Sequence, residues 1–85
     1  MFSIAYSKAA RKALKTMPRN TAALIMEKIE ALAADPFAPN NNVRRLTNHP
    51  GYRLRVGDWR VVYLVHEQAL LIAVVRIAPR GEVYQ

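Results

Sequence analysis

Cysteine is absent from the chain. That excludes a disulfide framework and a thiolate metal site, and nothing marks a small secreted scaffold. Glycine is scarce, with 3 residues, and neither a glycine-rich phosphate loop nor a nucleophile elbow occurs. His49 and His66 lie far apart, beside expected turns, and no carboxylate is spaced to orient either one as a base. Two histidines and scattered acids also fall short of a metal site, which needs at least three ligands and hydrogen bonds behind them. No metal and no cofactor are therefore expected. Long apolar runs are missing too. Met1 to Ile4 leads straight into a polar, basic segment without the apolar stretch of a signal peptide, and no run approaches a membrane span. A soluble cytoplasmic protein with no membrane partner is the expectation.

Acidic residues are few as well: 6 against 13 lysines and arginines, a formal charge of +7. Such a field attracts a polyanion, and charge alone does not choose among nucleic acid, an anionic membrane surface and an acidic protein. The 85 residues bound the chain to a single domain over 1–85, with one core and no room for a large cofactor cavity. A hydrophobic content of 52% in periodic runs predicts a folded chain.

Phe2, Ile4 and Tyr6 alternate with small residues as in a half-buried strand. Ser7 is placed to cap a helix whose stripe is Ala10, Ala13, Leu14 and Met17, closed by Pro18. Asn20 or Thr21 offers the cap of a second helix, with Ala22, Ile25, Ile29, Leu32 and Ala33 at helical spacing until Asp35-Pro36. The region from Phe37 to Pro50 reads as a loop anchored by Val43 and Leu46.

From Tyr52 the period becomes two. Tyr52 to Val56, Gly57-Asp58, then Trp59 to Val65 is a hairpin signature, and glycine first in the turn suits type II′. That turn sets Val56 opposite Trp59, Arg55 opposite Arg60 and Arg53 opposite Val62, so three arginines share a face and the apolar residues share the other. A last strand, Leu70 to Ile77, is apolar enough for the interior of the sheet. The length of the turn before it is open, and with it the face of Arg76. Arg80 follows Pro79, just past the strand.

Single arginines on an open sheet are most often just solvated. Arg53, Arg55 and Arg60 gathered on one face are different, because like charges directly opposed repel. An anion relieves that repulsion, and guanidinium forks fit phosphate oxygens. A second basic stripe, Lys8, Lys12, Lys15 and Arg19, runs along the first helix opposite its apolar side. Its ordinary reading is a wet face; its functional reading is a surface that docks RNA, the ribosome or an acidic partner.

The segment Tyr52 to Tyr63 and the tail Arg80-Gly81-Glu82-Val83-Tyr84 resemble the RelE/ParE superfamily of bacterial toxins. The opening strand, the helix with Ala9, Ala10 and Leu14, and the ending Leu32 to Pro36 extend the likeness over nearly the whole chain. The resemblance implies an α+β fold of order β-α-α-β-β-β, a mostly antiparallel sheet with a helical hairpin on one face. It also implies a toxin of a type II toxin-antitoxin system, acting as a RelE-like mRNA interferase that cleaves message in the ribosomal A site, with the ribosome, mRNA and a RelB-like antitoxin as partners. RelE-type members use basic residues matching Arg53, Arg55, Arg60 and Arg80 and a tyrosine matching Tyr84, so these five are the expected catalytic residues. Some members carry lysine where this chain has Arg53 and Arg55, and many carry histidine or another polar residue where it has Pro79. The first difference removes a group that loses a proton easily; the second bears on how Arg80 is aimed. ParE-type members on the same scaffold poison DNA gyrase, and a non-catalytic RNA- or ribosome-binding module is a third possibility.

Arginine, with a reference pKa of about 12.5 to 13.8, is a poor base and suits charge stabilisation. Tyr84 is then the leading base candidate, since neighbouring guanidinium groups favour phenolate.

Overall fold

The computed structural model describes residues 1–81. The chain runs β1 (Ser3–Tyr6), α1 (Lys8–Thr16), α2 (Arg19–Ala34), β2 (Val43–Arg45), β3 (Tyr52–Val56), β4 (Trp59–His66) and β5 (Leu71–Pro79). The strands form one five-stranded sheet of order β1-β5-β4-β3-β2. β1 pairs parallel with β5, and all other neighbours are antiparallel. This is the α+β arrangement expected, with β2 added as a strand.

Helix α1 begins as its sequence demands. The Ser7 hydroxyl accepts the Ala10 N–H at 3.0 Å and donates to the Val75 carbonyl at 2.8 Å, so one side chain caps the helix and ties it to β5. Helix α2 starts earlier than Asn20 or Thr21 would place it, at Arg19 with Pro18 as its cap. Proline's fixed φ suits a helix start, where a missing N–H leaves no intrahelical bond unmade. Its end at Ala34, before Asp35-Pro36, is the one anticipated.

β2 is the element that patterning missed. Three residues, Val-Arg-Arg, are too few to show a period, and the strand exists because β3 offers it an edge: Val43 lies opposite Leu54 and Arg45 opposite Tyr52. The connection to β3 needs a glycine. A Cβ at Gly51 would stand 2.8 Å from the Tyr63 carbonyl oxygen, and the Gly51 N–H donates to His49 Nδ1 at 2.9 Å. His49 is thereby tied to the turn.

The β3–β4 hairpin has the expected register, with Val56 opposite Trp59, Arg55 opposite Arg60 and Arg53 opposite Val62. Gly57 has φ +58°, and Asp58 is outside the left-handed region, as a type II′ turn requires. β5 lies between β1 and β4, the interior position its apolar run suggested. A bulge opens the β4–β5 ladder: Val62 faces Arg76 and Tyr63 faces Val74, leaving Val75 unpaired. The bulge settles where Arg76 belongs. With Ile77 across from Val61 in the core, Arg76 stands in the row of Val62 and Arg53.

The helices cover one face of the sheet. Ala10, Met17, Ile25, Ile29, Leu32 and Ala33 meet Leu54, Val56, Val61, Tyr63, Ile72, Val74 and Ile77 in one buried cluster. Full burial of side chains of this size stabilises the fold by about 1.5–3 kcal/mol each. No helix of the described residues is long and apolar enough to cross a membrane.

Candidate functional site

The other face of the sheet is neither flat nor wholly wet. Arg60 is only 8% exposed, and Val62 and Ala78, on the same side, are buried beside it. A charge this far from water needs fixed partners. Arg60 Nη1 has two, donating to the Gly57 carbonyl at 2.9 Å and the Trp59 carbonyl at 3.0 Å. The guanidinium is thus clipped to the turn of its own hairpin.

Arg55, directly opposite Arg60, is exposed and leans the other way: its Nη2 donates to Asn42 Oδ1 at 3.0 Å, and its backbone N–H donates to the Asn42 carbonyl at 2.8 Å. The loop before β2 therefore holds Arg55 by both main chain and side chain. Arg80 arrives from past the end of β5, where its N–H donates to the Asp58 carbonyl at 2.7 Å. Hairpin turn and C-terminal segment are joined at that bond.

These anchors bring Arg55, Arg60 and Arg80 to the lining of one open cleft of about 780 Å³. α2 forms its opposite side through Leu24 and Lys28, and Asn40 and Asn42 line it from the loop. Arg53 does not line the cleft but belongs to the same field. Partial burial lowers its pKa below the usual arginine value, and the charges of Arg60, Arg44 and Arg55 lower it further. A phosphate would offset that repulsion at several guanidinium groups simultaneously.

Of the five residues singled out from the sequence, three share the cleft, Arg53 is electrostatically coupled to it, and Tyr84 lies outside the described residues. Lys28, Asn40 and Asn42 were missed. Lys28 follows helical spacing as an ordinary outer-face residue, and an asparagine-rich loop reads simply as a loop; only the tertiary approach of α2, loop and hairpin distinguishes them. Lys8, Lys12 and Lys15 line a separate shallow surface on α1 together with Arg11, and Arg19 is exposed at the start of α2. Among the described residues, no group of three or more histidines, cysteines, aspartates or glutamates is gathered to hold a metal ion.

A further feature lies on the helix side. Tyr63 is 1% exposed, its ring stacks on Tyr52 at 5.6 Å, and its hydroxyl is buried without a hydrogen-bond partner among the described residues. Burial, with a lesser contribution from Tyr52, pushes the Tyr63 phenol up to about 12.

Comparison with known proteins agrees with the fold. The archaeal RelE of a RelE-RelB complex from Pyrococcus horikoshii superposes with a TM-score of 0.82 at 27% identity, over 95% of this chain and 97% of that one. A metal-bound toxin from Helicobacter pylori gives 0.79 at 25% identity, covering 98% and 99%. The toxin-antitoxin complex RelBE from E. coli gives 0.80 at 16%, covering 96% and 99%, a likeness of fold. No curated protein matches the sequence. Residues 4–84 match the family described as the ParE toxin of the type II toxin-antitoxin system, parDE, and the chain accordingly belongs to the RelE/ParE superfamily of type II toxins.

Proposed function

We propose that the protein is a ribosome-dependent mRNA endonuclease that cuts message in the A site and so stops translation in the cytoplasm. The observation that carries this reading is the gathering of Arg55, Arg60 and Arg80 round one cleft, with the guanidinium groups of Arg55 and Arg60 hydrogen-bonded within the protein and the backbone of Arg80 tied to the hairpin turn. Preorganised cations of this kind favour the charge that develops on a phosphorane more than the charge already present on a phosphodiester.

In the proposed reaction the 2′-oxygen of one nucleotide attacks its own 3′-phosphate. A bond forms between that oxygen and phosphorus while the bond from phosphorus to the 5′-oxygen of the next nucleotide breaks. The 2′-proton passes to a base, an acid protonates the departing 5′-oxygen, and the products are a 2′,3′-cyclic phosphate and a 5′-hydroxyl. No metal or cofactor enters this route. Arg53, Arg55, Arg60 and Arg80 stabilise charge, Arg60 or Arg80 is the acid candidate for the departing 5′-oxygen, and Tyr84 is the base candidate. The α1 stripe of Lys8, Lys12 and Lys15, with Arg19, is assigned to holding the ribosome's RNA by charge. A cognate RelB-like antitoxin is the proposed partner that silences the toxin, as the complexes of the archaeal and E. coli relatives suggest.

A second reading draws on the ParE description of the matched family: gyrase poisoning on the same scaffold. Purified protein added to translating ribosomes, followed by primer extension, separates the two. New A-site ends with the wild type that vanish with Arg60→Ala and Tyr84→Phe are the expected result. Their absence with wild type, or gyrase-linked DNA damage that persists through Arg80→Ala and Tyr84→Phe, would reject the nuclease. RNA binding without any cleavage would leave a non-catalytic module.

A further inference from the structure

Arg44 and Arg76 have no part in the chemistry above, yet both stand on the arginine face. Arg55 lies opposite Arg60 across β3 and β4, and two residues earlier on β3 Arg53 lies opposite Arg44 of β2. Like charges directly opposed are disfavoured, and none of the five strands contains an acidic residue to balance them within the sheet. Arg44 is exposed, and its charge reaches its neighbour: partial burial, then the charges of Arg60, Arg44 and Arg55, lower the Arg53 pKa. The same row continues across the buried Val62 to Arg76 on β5. Arg76 owes its place to the bulge. From the inward-facing Val74, simple alternation would turn residue 76 into the core, and the unpaired Val75 turns it onto the arginine face instead. Bulges recur beside active sites, where they re-aim a side chain.

We infer that Arg44, Arg53 and Arg76 form a second phosphate subsite, for the phosphate next to the scissile one along the RNA strand; the inference rests on the nuclease reading and sets the shortest substrate that fills the site, a strand with two consecutive phosphates. Two residues that share a face of β3 are about 6.8 Å apart, comparable to one nucleotide step of an extended strand. One opposed pair therefore holds the reacting phosphate while the other holds its neighbour, and guanidinium forks suit both. Arg53, felt by Arg60 and Arg55 as well as by Arg44, links the two positions. Arg76 also borders the shallow groove between β5 and α1, beside Lys12, which keeps positive surface under the strand as it passes the β5 edge.

Non-cleavable 2′-O-methyl uridine trinucleotides test this with the full chain. One carries two phosphates, and two others carry a neutral methylphosphonate at the first or the second linkage. Each competes with a 5′-labelled 2′-O-methyl oligo(U) in a fluorescence-anisotropy assay at low salt. The affinity ratio of the fully charged to the half-neutral trinucleotides is the quantity read, because removing cations weakens the binding of every anion. Wild type should lose about 10-fold on neutralising either linkage. Arg44→Gln with Arg76→Gln should bring the ratio close to unity, since the one remaining charge still finds the cleft, and Arg44→Lys with Arg76→Lys should keep most of it. Arg45→Gln removes a cation that lies over Tyr52 on the helix side, and should leave the wild-type ratio. A wild-type ratio near unity, a ratio unchanged by the glutamine pair, or an equal fall with Arg45→Gln overturns the subsite. Primer extension on ribosomes reports separately on the nuclease. A-site cleavage alongside any of those three results leaves the nuclease standing without a second phosphate. A ratio that the glutamine pair abolishes, without A-site cleavage, rejects the nuclease and leaves a face that binds two phosphates of RNA.

Discussion

The molecule carries two basic regions, and they are built differently. The lysines of α1 lie along a single helix, exposed, on an outer face that any amphipathic helix would present. The arginines at the hairpin end come from β3, β4 and the segment after β5; hydrogen bonds hold the guanidinium groups of Arg55 and Arg60, and a main-chain bond fixes where Arg80 leaves the sheet. Positive charge by itself costs a surface helix little and discriminates little. Charge that is buried at Arg60, opposed across strands by Arg55 and anchored by hydrogen bonds has been placed against its own repulsion, which an amphipathic helix face never demands.

The comparison breaks most sharply at Arg60. Arg60→Ala should lower the single-turnover cleavage rate on ribosomes by about 10²- to 10³-fold, the scale of losing one preorganised donor to a developing oxyanion. A loss no larger than that of an α1 lysine variant would erase the distinction between the regions. Tyr84→Phe should cost of the order of 10²-fold if the phenol transfers the proton; near-wild-type rates would assign the ring to stacking on a base instead.

Tyr63 sharpens the contrast from the other face of the sheet. With the folded pKa pushed up to about 12 and the unfolded value near 10, the neutral phenol favours the folded state. That contribution is complete below pH 10 and is lost as pH climbs from about 10 to 12, by an amount on the order of 2 to 3 kcal/mol. Urea unfolding of wild type should show this alkaline decline, and Tyr63→Phe should reduce it. At neutral pH the variant should be as stable as wild type or slightly more so, since the hydroxyl has no hydrogen-bond partner among the described residues. Equal alkaline declines in both proteins would refute the assignment. The smallest effect belongs to the helix. Lys12→Gln with Lys15→Gln should weaken ribosome association only a few-fold and flatten its salt dependence, leaving the single-turnover rate at saturating ribosomes unchanged.

Much of the fold was legible because local rules and tertiary needs coincide. Ser7 caps where a serine before a helical stripe should, and Gly57-Asp58 turns the hairpin with the register that puts Arg55 across from Arg60. The exceptions have physical causes. β2 is a strand only through its partner, α2 begins at a proline cap instead of a polar side chain, and the β5 bulge shifts Arg76 without altering the apolar run in which it sits. The site divides in the same way. Cross-strand pairing could be counted from the hairpin, but Asn42 on Arg55 and Lys28 across the cleft depend on contacts between residues well separated along the chain.

What the amino-acid order determined by itself was periodicity: which residues turn inward, where helices start and stop, and which arginines stand opposite one another across a two-residue turn. The tertiary structure decided what gathers at the hairpin end. Convergence of α2, the asparagine loop and the segment after β5 follows from how the helical hairpin sits on the sheet, and no local spacing encodes that distance. Local order sets the direction of a side chain through its backbone period, whereas its neighbours from elsewhere in the chain are set only when the core closes.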